Sequence, residues 1–229
     1  MRGVLFLPFL FMPLACSGQT APDAAGDASI NRPDSNVGLL TDAGMCGVTT
    51  TRVEPNPAVH VDQGSTLMFA SNPPCGGNHY PIWATWGIHD TVVPRGNWIH
   101  NLEHGGVVFL YRCASRTACP DVAAKLEAFV KTLPQDPVCA SELPALKNRA
   151  VVTPDPDLPA GVQVAAVAWG HSLVARCVDE AALRDFYLAH FGRATENFCS
   201  EGSALVPGDA SVDDTPVIPP IADAKAMKD

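Results

Sequence analysis

Residues 71–98, "SNPPCGGNHYPIWATWGIHDTVVPRGNW", constrain this chain more than any other stretch. Proline, glycine and asparagine recur there at a density that breaks helices and strands. The same segment carries Tyr80, Trp83, Trp86 and Trp98, and that much aromatic surface does not stay in water. The chain must therefore form a long, ordered loop packed against something else. Ordered loops of this length are uncommon in compact domains and tend to carry function.

The ends of the chain are of another kind. Met1-Arg2-Gly3 precedes an apolar run from Val4 to Ala15, too short to span a bilayer, so residues 1–15 read as a secretory signal. "LACSG", Leu14 to Gly18, resembles a bacterial lipobox. Its Cys16 would carry the lipid and anchor an exported protein at the membrane, facing the periplasm or the cell surface. Pro13 departs from the aliphatic residue usual at its position, so ordinary signal cleavage stays open. Residues 16–44 are rich in Ala, Asp, Ser, Gly and Pro and read as a disordered tether. Residues 203–229 read as a disordered, acidic, Pro-rich tail. That leaves 45–202 as a single globular domain, long enough for its own core. The formal charge of −9, with no basic stripe, argues against a nucleic-acid partner.

Beyond Cys16 stand Cys46, Cys75, Cys113, Cys119, Cys139, Cys177 and Cys199. In an exported chain they read as disulfides, and an odd count leaves one over. Spacing does not give the connectivity, although Cys113 with Cys119 or Cys139 would staple the segment around the following helix. Val107–Tyr111, Ala150–Thr153, Val162–Trp169 and Leu173–Val178 read as strands, with a weaker one at Thr66–Ala70. Asp121–Leu133 and the segment capped by Asp179 read as amphipathic helices. The fold class that follows is α+β: a mostly antiparallel sheet packed with two amphipathic helices, stapled by disulfides.

The chemistry concentrates in "GNWIHNLEHGG", residues 96–106. Asn97 as N-cap and Gly105 as the stop bracket about two turns of helix. His100 and His104 are then i and i+4, about 5–6 Å apart on one face, with Glu103 alongside. On a strand they would be about 13 Å apart and could share nothing. His-x-x-Glu-His is the inverted zinc-protease pattern, in which Glu103 would act as catalytic base of a zinc-dependent hydrolase. Only three positions of that pattern are fixed, and Gly105-Gly106 end the helix at once. No nucleophile elbow or phosphate loop is present.

Residues 73–111 resemble the core of the uncharacterised bacterial family known as domain of unknown function family 3105. The matching positions are Pro73, Pro74, Gly77, His79, Trp86, Gly87, Val93, Pro94, His100, Leu102, Glu103, His104 and Gly105. Asn78, His89 and the extra cysteines depart from the family's pattern. The resemblance implies no activity, but it points to His79 as a further candidate ligand. His79, His100 and His104, with Glu103 as fourth ligand or partner, would suit a Cu or Zn ion, and His89 is a weaker addition. His171 and His190 read as core or rim residues, and His60 has no reading. Three functions follow: transition-metal binding; a structural or interaction module whose Trp-rich loop meets an envelope protein or polymer; and the hydrolase.

Overall fold

A computed structural model describes residues 46–54 and 58–203. The signal at 1–15, Cys16, the tether at 16–44 and the tail from 204 lie outside the described residues. Ten elements run in the order β1 (Thr49–Arg52), β2 (Gly87–Ile88), α1 (Arg95–Glu103), β3 (Val107–Tyr111), α2 (Pro120–Lys131), α3 (Pro137–Glu142), β4 (Ala150–Pro154), β5 (Val164–Ala168), β6 (His171–Ala175) and α4 (Glu180–His190). The strands form one sheet in the order β1-β6-β5-β3-β4-β2.

The class is α+β, but the sheet is mixed and the described residues hold four helices. β1–β6, β5–β6 and β3–β5 are antiparallel, while β3–β4 and β2–β4 are parallel. The cause lies between Tyr111 and Ala150. That connection passes through α2 and α3 and is long enough for the helical crossover that parallel neighbours require. A tight turn at Trp169-Gly170, with Gly170 at φ 75°, instead makes β5 and β6 a hairpin. α3 corresponds to no expected helix, although its start is marked: Asp136 caps Val138 N from its side chain, with Pro137 at the first helical position. Thr66–Ala70 forms no strand.

The central strands β3, β4 and β5 are buried on both faces, which explains their nearly uninterrupted apolar sequences, while the edge strand β1 is exposed. Along β3, Val107, Phe109 and Tyr111 face a core shared with Leu126 and Phe129 of α2 and Leu183, Phe186 and Tyr187 of α4. Val108 and Leu110 face the other way, toward Trp98, Ile99 and Leu102 of α1. The aromatic loop thus has its counterpart: it closes over α1, and α1 lies on the sheet.

Cys46–Cys177, Cys113–Cys119 and Cys139–Cys199 are disulfides. Cys75 is the free cysteine among the described residues and is buried.

Candidate metal centre

Helix α1 starts at Arg95, three residues before the expected Trp98, and Asn97 does not cap it. Asn97 sits inside the first turn, where its amide donates to Ile82 O at 2.7 Å and pairs with Gln63. Its role is to fasten the aromatic loop to the helix. Every residue of α1 from Gly96 to Glu103 is buried, so the helix is wrapped on all sides. Gly105, at φ 85°, ends it in the left-handed conformation expected of that glycine.

His100 and Glu103 project from this helix toward His79 in the loop. His60 arrives from a further segment, which pairs with the loop in a short parallel bridge: Val61 N donates to His79 O (2.9 Å) and His79 N to Val59 O (3.3 Å). One donor atom each from His60, His79, His100 and Glu103 lies within 4.8 Å of the others. The three imidazoles are 4.6–4.9 Å apart centre to centre.

Hydrogen bonds orient two of these rings. His79 Nδ1 lies 2.8 Å from Gly77 O, and His100 Nδ1 lies 2.7 Å from Tyr80 O. A carbonyl only accepts, so each Nδ1 carries the donated proton. In a neutral ring that leaves Nε2 with its lone pair directed into the cluster, the usual preparation of a histidine ligand. His79 Nε2 faces Glu103 Oε2 at 2.9 Å, and His60 Nε2 is 3.6 Å from the same oxygen. Two acceptors at hydrogen-bond distance need a cation between them, either a proton or a metal ion.

The electrostatics run the same way. Burial takes His100 down to about 4, helped by the neighbouring His79 and His60 and opposed by the Tyr80 carbonyl. The ring is therefore neutral, as a ligand must be. Burial alone would raise the Glu103 carboxyl, but the His79 contact, with a proton between the two, and the nearby imidazoles outweigh it and hold the group below its ordinary value.

His104, expected as a ligand, lies outside this four-residue group. Its ring packs against Trp83 (4.5 Å), His100 (4.5 Å) and Phe198 (4.0 Å), with Nε2 3.4 Å from Glu196 Oε2. At the C-cap of α1 the backbone leaves the helical path, and the ring turns under Phe198. Burial, then His100, pushes its pKa down to about 3. His89 also stays outside, bonded to Thr85 O at 2.9 Å. His171 and His190 stack on each other, 4.1 Å apart. The tryptophans of the loop pack inward. Trp98 is fully buried, and Trp83 is half-buried against His100 and His104. Trp86, also half-buried, donates to Ser200 O.

Sequence reasoning missed His60. The one signal was the flanking Val59 and Val61, an alternation that turns a lone histidine to one side of an extended segment.

No helix among the described residues is long and apolar enough to cross a membrane. The sequence model of the family described as "Protein of unknown function (DUF3105)" matches residues 60–202, more than half of the chain, and the chain belongs to that family. No curated protein and no solved structure matches it.

Proposed function

We propose that this member of the family is an exported metal-binding protein that holds one transition-metal ion, Cu or Zn, through His60, His79, His100 and Glu103. One observation carries the reading: three imidazoles and one carboxylate, drawn from three separate segments, converge with two of the rings pre-oriented by backbone carbonyls. Three nitrogens and one oxygen suit zinc in tetrahedral geometry, and imidazole donors suit copper equally. With metal–ligand bonds of about 2 Å, tetrahedral ligand atoms lie about 3.3 Å apart. The widest pair of the cluster must therefore close by about 1.5 Å, which small side-chain rotations supply. His60, whose side chain is 49% exposed, is the side from which an ion would enter.

Binding is favoured over hydrolysis by the place of Glu103. Its carboxylate belongs to the donor set itself, so it is spent as a ligand and is not free to act as a base. Three disulfides favour an oxidising compartment. A lipid on Cys16 would keep the protein at the membrane of the cell envelope, where an envelope partner could reach it.

The test is metal analysis of protein purified without a histidine tag, followed by titration with Cu(II) and Zn(II). One equivalent retained through buffer exchange is expected, and its loss in His79→Ala and Glu103→Gln. Folded wild-type protein that takes up neither ion would end the proposal.

A further inference from the structure

Residues 195–203 run along the metal cluster as a strap. Glu196 N donates to Glu103 O at 3.0 Å, and the Thr195 hydroxyl donates to Glu103 Oε1 at 3.4 Å. The carboxylate is thus shared: Oε2 faces the histidines and Oε1 faces the strap. Phe198 lies on the His104 ring, which in turn packs on His100. Further on, Ser200 O accepts from Trp86, and Ser203 N donates to Trp83 O at 2.9 Å. One segment therefore touches the helix that carries two of the four donors and the loop that carries a third.

Two further fastenings hold the strap. Arg149, buried and paired with Asp136 at 2.7 Å, donates from Nη1 to His104 O, to Asn197 Oδ1 and to Phe198 O. It joins the end of α1 to the strap from beneath. The covalent fastening is Cys139–Cys199, which ties the strap to α3, and Cys199 N donates to Glu142 Oε2 in the same helix. No strand pairs with residues 195–202, and the strap's β-bridge is that of Ser203 with Ala84 at its end.

We propose that the strap positions Glu103 and the α1 histidines for the ion, and that the buried Cys139–Cys199 disulfide is the staple through which it does so. The inference rests on the metal-binding reading. Without that bond the strap holds Glu103 Oε1 and presses Phe198 on His104 less firmly, and the donor set loosens. Thr195 and Phe198 are positioning residues here; neither touches the ion.

Chelator-competition titrations with Cu(II) and Zn(II) on the wild type, C139S/C199S and C46S/C177S test this. Loss of supporting interactions around metal ligands typically costs about 10–100-fold in affinity, so C139S/C199S should bind about tenfold more weakly or worse. The Cys46–Cys177 bond closes a loop of 131 residues against 60 for Cys139–Cys199, so its removal costs at least as much stability. C46S/C177S should nevertheless bind within about threefold of wild type, because Cys46 and Cys177 belong to the opposite core. Equal losses in the two double variants would mean general destabilisation and overturn the proposal, as would unchanged affinity in C139S/C199S. If C139S/C199S does not fold, Thr195→Val is measured instead. It should bind about threefold more weakly or worse while Thr195→Ser matches wild type, and equal affinities in all three overturn the proposal. A folded wild type that binds neither ion fails the metal reading itself, and this inference with it.

Discussion

His79 and Glu103, 24 residues apart in the chain, meet with Nε2 2.9 Å from Oε2 in a pocket where the histidine is fully buried. The loop supplies one partner and helix α1 the other, so the contact that closes the aromatic loop over the helix is also the centre of the donor set. Closure of the loop and geometry of the site thus depend on the same contact.

The composition of the set is open to direct test. His60→Ala should weaken Cu(II) or Zn(II) binding by about tenfold or more, the scale on which even supporting groups act. His104→Ala should keep one-to-one stoichiometry, because its ring lies between Trp83 and Phe198 and outside the cluster. Isothermal titration of both variants decides the matter. Loss of stoichiometric binding in His104→Ala with retention in His60→Ala would return the ligand to the helix.

Stability of the metal-free protein should fall on acidification. Folding takes His100 to about 4, His104 to about 3 and His190 to about 4, all for reasons of burial first. Between those values and the ordinary 6.5 the unfolded chain binds more protons than the native state, so stability rises with pH across that window. Glu103, held below its ordinary value, acts in the same direction: its contribution is full above about 4.5 and drains as pH falls through the native value. Urea midpoints measured from pH 7 to pH 4 should therefore decline steadily. A flat profile would contradict the burial of neutral imidazoles.

Gly96→Ala pits helix propensity against packing. Alanine inside a helix gains about 1 kcal/mol over glycine. A Cβ at this position, however, would stand 2.5 Å from the Tyr80 ring and 2.6 Å from Leu67. Tyr80 is held by its hydroxyl on Ser65 O, and its own carbonyl orients His100. Overpacking of this kind costs about 1–3 kcal/mol, so a net loss in urea denaturation is expected, together with weaker metal binding. A stabilised variant with unchanged affinity would show that the loop yields freely.

The Cys75 thiol should be inert in the native protein. It is 2% exposed, and burial raises its pKa despite the Ser71 hydroxyl beside it. Peptide mapping after treatment with iodoacetamide should find Cys75 unmodified under native conditions and fully modified in urea. Rapid native labelling would mean that the loop opens well below global unfolding.

Much of the scaffold was legible because its signals are local. Val107–Tyr111 is continuously apolar and β-branched, and it is a strand buried on both faces. The helix near Asp121–Leu133 and the one capped by Asp179 show their apolar stripes plainly, and Asp179 does accept from Ala182 N. The helical setting of His100 and Glu103 was legible as well, from the glycines that end it. The start of α1 was misplaced because Asn97, a residue that commonly caps helices, here bonds across to the loop, a partner far away in sequence.

The sequence by itself determined the packed aromatic loop, the helix bearing His100 and Glu103, and the need for an odd cysteine, since each follows from residue type and short-range period. Only the tertiary structure decided the parallel pairing of β3 with β4, the disulfide partners and the exchange of His60 for His104 in the cluster. These depend on where segments far apart in the chain come to rest on the sheet, and no local period encodes that. His104 keeps the helical spacing that suggested it, but the ring is claimed by Phe198 from a strap over ninety residues downstream. His60 shows no pattern beyond its two valines, and its place was set by a backbone bridge to His79.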